Sequence, residues 1–261
     1  MIIGAQRAGT TSLYSWLTSH RDVLPAREKE LHFFDQDPAS RPIDRYREQF
    51  PLQATRRVLQ TTRRRPVVTG EATPYYLFHP LVPARVHRHL PDVKLIVLLR
   101  DPVERAVSNY WFEYNYGTET LTLERALAAE EERIRPDLDR TARGEEPTGA
   151  LQSFSYVARG LYAEQLRRWT ELFDRSQLLV LQFEQLASTP AAALDDALRF
   201  LGVDPGASPR PRFEPMHTGH RQPTPPETLG WLRQRFEEPN RELFAQVGID
   251  YNAVDAFAPA R

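Results

Sequence analysis

Short apolar runs alternate with longer amphipathic stretches along the chain. MIIGA at the N-terminus, PVVTG at 66–70, VKLIVLL at 93–99 and LLVLQ at 178–182 each read as a buried strand, because they are too short for a buried helix and are bounded by turn residues. Between them, Leu13, Trp16 and Leu17 carry helical spacing from about Thr10. Pro102 opens a helix through Val107, Tyr110 and Trp111, at a first-turn position where its missing N–H costs nothing. Leu123 to Ile134 predicts a charged surface helix. Leu161, Tyr162, Leu166, Trp169, Leu172 and Phe173 make a wide apolar stripe, and Leu194, Ala197, Leu198 and Leu201 make another. Leu229, Leu232 and Phe236 face one way, then Pro239 restarts a helix carrying Leu243, Phe244 and Val247. The stretches 136–156 and 203–226, rich in Pro, Gly and charge, read as loops. Strands separated by helices predict an α/β fold with a parallel sheet covered on both faces. There is no internal repeat, so residues 1–261 are expected to form one domain.

Composition narrows the classes. With 41% hydrophobic and 26% charged residues the chain is of ordinary globular type. No apolar run approaches the roughly 20 residues of a membrane helix, and Gln6, Arg7 and Thr10 interrupt any signal-peptide core. The expectation is a soluble cytoplasmic protein without a membrane span. The absence of cysteine excludes disulfide frameworks, thiolate zinc sites and cysteine nucleophiles. A net charge of -1 argues against a general nucleic-acid binder and leaves room for a local basic pocket. Lys29 and Lys94 are the only lysines among 34 basic residues, and 22 prolines accompany them. That bias suggests a GC-rich bacterial coding sequence.

Three segments carry candidate chemistry. Gly4-Ala5-Gln6-Arg7-Ala8-Gly9-Thr10-Thr11 has the glycine spacing of a Walker A loop, yet Thr10 stands where a nucleotide triphosphatase needs lysine. Its cation, Arg7, lies three places earlier. Amides around Gly9, Thr10 and Thr11 at a helix N-terminus would cradle an anion, with Gln6, Ala8 and Ser12 beside them. The alternative is a tight turn whose glycines serve geometry alone. The third strand runs into Arg100-Asp101-Pro102, with Ser108 about two turns along the following helix. The alternative there is a Walker B strand with Asp101 for magnesium, but its Walker A partner lacks the lysine. Arg105 and Asn109 on that helix read as surface or packing residues. Third, Glu28, Lys29, Glu30 and His32 follow the first helix; Glu30 and His32 are rival bases. His87 and His89 have no partner at metal-ligand spacing and read as surface residues, so no metal is expected.

These segments together resemble one family. GAQRAGTTSLYSWL resembles the 5′-phosphosulfate loop of the sulfotransferases that use 3′-phosphoadenosine 5′-phosphosulfate (PAPS), whose usual form is G-x-x-[KR]-x-G-T-[ST]. RDPVERAVSNYW resembles the family's 3′-phosphate motif, and AREKELHFFD the K-E-x-H-F-F-D signature of heparan-sulfate and related bacterial sulfotransferases. The resemblance implies a P-loop-like three-layer fold, with a central parallel sheet flanked by helices. It implies PAPS as donor, adenosine 3′,5′-bisphosphate as product and no metal. By it, Arg7 takes the lysine role at the 5′-phosphate, Arg100 and Ser108 bind the 3′-phosphate, Glu30 is the base and Lys29 helps polarise the site. GEATPYYLFHP, with Glu71, Thr73 and Tyr76, is similar to an acceptor-lining segment, although Ala72 replaces the lysine of heparan-sulfate enzymes. Phe33 and Phe34 would wall the acceptor pocket. ARGLYAEQLRRW places Tyr162 near the adenine or in the core. Thr218, Gly219, His220 and Arg221 occupy the place of a basic loop that closes over the nucleotide. The resemblance runs from Ile2 to about Val247 and implies further apolar residues ahead of the first strand. The acceptor would be a hydroxyl, or second an amine, of a small molecule, lipid or carbohydrate. An ATP-dependent P-loop kinase and a non-catalytic nucleotide-binding module stay open as alternatives.

Overall fold

A computed structural model describes residues 1–37, 41–214 and 222–252. In chain order the regular elements are β1 (Ile2–Gly4), α1 (Thr10–Ser19), β2 (Val23–Pro25), α2 (Ile43–Arg47), α3 (Gln53–Arg63), β3 (Val68–Gly70), α4 (Val82–His89), β4 (Leu95–Leu99), α5 (Pro102–Asn115), α6 (Leu123–Ala142), α7 (Ala150–Ser153), α8 (Tyr162–Thr170), β5 (Leu178–Gln182), α9 (Phe183–Ser188), α10 (Pro190–Leu201) and α11 (Pro226–Val247). They form two compact units, the first holding Met1–Leu99 and Trp169–Thr218, the second holding Arg100–Arg168 and the chain from Gly219, with α11.

The first unit contains the sheet. β4 lies between β1 and β5, parallel to both. All five of its residues are essentially solvent-free, which explains why LIVLL shows no alternation: both of its faces are covered. β2 and β3 pair in parallel as well. A parallel bridge from Ile2 to Ala72 joins the two pairings, giving the order β2-β3-β1-β4-β5. Two bonds close that seam, from the Ile2 amide to the Glu71 carbonyl (2.9 Å) and from the Thr73 amide to the Ile2 carbonyl (3.0 Å). The result is the expected central parallel sheet with flanking helices. Because every strand runs the same way, the chain leaves β1, β2, β3 and β5 at one edge of the sheet, where ligands bind open α/β folds. β2 is missing from the sequence-based expectation: Val-Leu-Pro is three residues long, and only its pairing with β3 makes it a strand.

The second unit packs Val103, Ala106, Val107 and Tyr110 of α5 against Leu123, Ala126 and Leu127 of α6 and Leu232 and Phe236 of α11. α5 starts as expected, with Pro102 in its first turn and the Asp101 carboxylate accepting the Glu104 amide at 2.8 Å. Two expectations are corrected here. α6 does not yield to a loop at 136: it continues through Pro136 to Ala142. Beyond it, the fully buried Asp137 accepts bonds from the amides of Thr148, Gly149 and Leu151 and from the Thr148 hydroxyl, so the turn ahead of α7 is tied back to the helix. Pro239 does not restart a helix, because α11 is continuous across it. Of the two readings left open for Arg105 and Asn109, surface or packing, the structure shows packing: both are completely buried.

Gly4 ends β1 against Leu77: a Cβ there would lie 2.4 Å from the Leu77 Cβ. Gly4→Ala is therefore expected to destabilise the protein by about 1–3 kcal/mol, the usual cost of overpacking. Denaturant unfolding measures it, and an unchanged midpoint would mean that Leu77 yields freely.

Candidate functional site

The loop after β1 turns at once into α1. Gly9 stands at the helix entry with φ 83, a conformation natural to glycine. A Cβ on it would sit 3.0 Å from both Leu186 and Phe183 of α9. Left-handed backbone and close packing both exclude a side chain. No side chain caps α1, and its first turn holds no acid. An uncapped helix start presents amide donors and positive potential to an anion. Ala8, Thr10 and Ser12 are buried around it, Thr11 is half-buried, and the Oε1 of Gln6 is buried without a partner. Arg7, half-buried in the same loop, has φ 70.

The exit from β2 carries the candidate base. Residues 26–36 have no regular structure, and tethers from three directions hold them. The Tyr14 hydroxyl, on α1, accepts the Ala26 amide at 3.1 Å and lies 3.4 Å from the Gly70 carbonyl at the end of β3. The Glu30 amide donates to the Ala72 carbonyl at 3.1 Å. The Tyr76 hydroxyl accepts the amides of Phe33 (2.9 Å) and Phe34 (3.3 Å), and Arg85 donates to the carbonyls of Phe34 and Gln36. Tyr76 is fully buried with its oxygen engaged in this way, so it frames the segment from beneath. Phe34 is buried against Tyr46 and Tyr76, while Phe33 faces a cavity of about 680 Å³ with Leu31, Pro42, Arg41 and Arg45. Glu71 is buried, its Oε2 accepting the Thr73 hydroxyl at 2.7 Å, and burial raises its pKa.

Four charged groups meet along this segment. The Lys29 ammonium donates to Glu30 at 2.5 Å. His32 lies between two carboxylates, with Nδ1 2.5 Å from Asp35 and Nε2 3.5 Å from Glu30. The Asp35 side chain is only 4% exposed. The hydrogen bond to Asp35, followed by that to Glu30, outweighs partial burial and raises the His32 pKa from 6.5 to about 9. Burial works against charge on Glu30, but the bonds from His32 and Lys29 and their charges hold it down at about 2. At neutral pH His32 is thus an imidazolium with a carboxylate at each nitrogen, and Glu30 is the ionised acceptor. Backbone strain concentrates here too. Of four non-glycine residues with positive φ among the described residues, three are Arg7, Glu30 (φ 64) and His32 (φ 46). Such conformations persist where surrounding structure enforces them, and they gather at functional sites.

In the second unit, Arg100 lies 3.2 Å from Glu104, and Ser108 is buried one turn further along α5. Tyr162 is buried with its hydroxyl donating to the Arg100 carbonyl at 2.9 Å. Thr218, Gly219, His220 and Arg221 lie outside the described residues. His87 packs edge-on against Phe173 and His89 is exposed; among the described residues no cluster of His, Cys, Asp or Glu could hold a metal ion. No helix among them is long and apolar enough to cross a membrane. Sequence reading missed Asp35, Tyr14 and Arg85. Asp35 stood within the matched signature, and its i+3 spacing from His32 was the available signal.

The first unit is thus an α/β fold in which an uncapped helix start follows β1 and a carboxylate–imidazolium cluster follows β2, tied to α1 through Tyr14. The sequence profile of the sulfotransferase domain matches residues 1–213. Human heparan sulfate glucosamine 3-O-sulfotransferase 6 is 31% identical, over 96% of this chain and 72% of its own. Mouse heparan sulfate glucosamine 3-O-sulfotransferase 3A1 is 34% identical over 78% of this chain and 45% of its own. The crystal structure of a sulfotransferase from Alicyclobacillus acidocaldarius superposes with a TM-score of 0.75 at 29% identity, covering 95% of each chain. The chain belongs to the sulfotransferase family and is a sulfotransferase.

Titration tests the charge cluster. The raised His32 contributes stability that is complete below about pH 6.5 and is lost as pH rises through about 9. The depressed Glu30 contributes above about 4.5 and loses that contribution as pH falls through about 2. By NMR, His32 is expected to titrate near 9 in the wild type. Asp35→Asn should return it toward 6.5. A wild-type midpoint already at 6.5 would show that the pairs do not persist in solution.

Proposed function

We propose that the protein transfers a sulfuryl group from PAPS to an acceptor hydroxyl by in-line displacement, with Glu30 as base. The observation that carries this reading is the Lys29–Glu30–His32–Asp35 cluster, tethered through Tyr14 to the helix whose N-terminus is uncapped. PAPS carries its sulfuryl group in a mixed anhydride with the 5′-phosphate. The amides from Gly9 to Ser12, with Arg7, suit its 5′-phosphate, since they lie at a helix start whose first turn holds no acid. Arginine in place of lysine brings a planar fork that can engage two phosphate oxygens. Arg100 and Ser108 are the groups for the 3′-phosphate.

In the transfer, the acceptor oxygen forms a bond to sulfur as the bond from sulfur to the bridging phosphate oxygen breaks. The electron pair passes to that oxygen, where Arg7 and the loop amides stabilise it, and the hydroxyl proton passes to Glu30. A carboxylate held near 2 is a weak base towards a free alcohol. The alcohol becomes strongly acidic as its oxygen bonds to sulfur, so late proton transfer needs no stronger base. His32 has both nitrogens engaged and holds the carboxylate in place, which favours Glu30 over His32 as proton acceptor. The cavity along Leu31 and Phe33 offers apolar wall and arginine together, fitting a hydroxyl on a carbohydrate, lipid or small molecule, with an amine as second choice. The relatives named for heparan sulfate glucosamine favour a sugar hydroxyl. Ala72, buried where heparan-sulfate enzymes carry lysine, favours a less anionic acceptor than theirs.

Glu30→Gln should lower transfer of label from ³⁵S-PAPS by about 10²–10⁴-fold, the range for a general base. Affinity for adenosine 3′,5′-bisphosphate by calorimetry should stay within about twofold, since the loop amides and Arg7 are untouched. Full turnover by Glu30→Gln would remove Glu30 from the base role.

A further inference from the structure

The second unit holds a charge that its own structure does not balance. Arg105 is 0% exposed. Its Nη2 donates to the Tyr156 carbonyl, while Nε and Nη1 have no partner. Among the described residues no carboxylate forms an ion pair with it. Glu130, nearby, has its oxygens on the amides of Val157 (2.7 Å) and Ala158 (2.8 Å), and Glu104 is paired with Arg100. One turn on, Asn109 is also 0% exposed, with Oδ1 and Nδ2 both unpartnered. Buried polar groups nearly always find partners, and a buried unpaired cation is among the most costly features a fold can carry. Burial pulls the guanidinium down to about 10, with Tyr162 and Glu130 opposing that shift and Arg159 and Arg100 adding to it. It therefore stays charged at neutral pH, within electrostatic reach of two further arginines.

The placement on α5 says what such charge can serve. Arg105 and Ser108 are i, i+3 neighbours on one helix, and helical side chains lean toward the N-terminus, here toward Arg100. We propose that Arg105 is a positioning residue for the donor's 3′-phosphate. Its uncompensated charge favours a dianion at Arg100 and Ser108, and its hold on the Tyr156 carbonyl fixes the chain ahead of Tyr162. The assignment rests on the PAPS reading above. A dianion supplies the missing counter-charge, so the cost of burying Arg105 in the empty protein is returned as selectivity for a nucleotide phosphorylated at the 3′ position.

The test compares calorimetric affinities for adenosine 3′,5′-bisphosphate and adenosine 5′-monophosphate in the wild type and in Arg105→Met, with melting curves to establish folding. Arg105→Met should lose at least about tenfold in affinity for the bisphosphate and less than about twofold for the monophosphate. Equal losses for both ligands would reduce Arg105 to a packing residue and overturn the assignment. If Arg105→Met does not fold, the wild type decides by the ¹⁵N resonance of the Arg105 Nε. That signal should shift on adding the bisphosphate and not the monophosphate, and an unmoved signal overturns the assignment equally. A wild type that binds the two nucleotides alike would instead sink the 3′-phosphate reading itself.

Discussion

The site depends on a helix whose first turn no side chain caps. β1 is pinned between the end of β3 and β4, and Gly4 packs too closely against Leu77 to carry a side chain. The chain must therefore turn within a few residues, and it enters α1 through Gly9 in a left-handed conformation. No Ser, Thr, Asp or Asn caps that entry, and no acid lies in the first turn. A cap there would satisfy the donors and stabilise the helix by about 0.5–2 kcal/mol. An uncapped start suits the anion site proposed above, with stability given up locally for binding.

The segment that carries the proposed base is organised around the same helix. Tyr14 reaches from α1 to Ala26 and Gly70, and so fixes the β2 exit relative to the phosphate loop within one unit. Glu30 and His32 sit in left-handed conformations that only this network of tethers sustains. Asp35 acts through His32: it holds the imidazole charged, and the charged ring holds Glu30 ionised and oriented. Under the proposed function the two rival bases of the sequence take separate roles, one as proton acceptor and the other as the cation that aims it.

Much of this was legible in the residues, because the governing interactions are local. LIVLL and LLVLQ are strands since nothing else buries such short apolar runs, and Gly9 precedes a helix since α1 needs a left-handed entry. What escaped was set by tertiary contact. Val23–Pro25 is a strand only through β3. α6 and α11 run through Pro136 and Pro239, although proline argues locally for a break. By sequence Arg105 and Asn109 are surface or packing residues alike, and only the packing of α5 against α6 and α11 shows them buried. At the site, the signature containing Glu30 was visible, but Asp35, Tyr14 and Arg85 act through bonds that spacing alone does not display.

The central claim is that the uncapped loop and its arginine serve a sulfated, 3′-phosphorylated nucleotide and not a triphosphate held by metal. Calorimetry with adenosine 3′,5′-bisphosphate in EDTA, set against ATP with magnesium, tests it most directly. Saturable binding of the bisphosphate without metal, at least about tenfold tighter than ATP with magnesium, is the predicted result. Tighter binding of the magnesium–ATP complex would contradict the account and return the loop to the kinases.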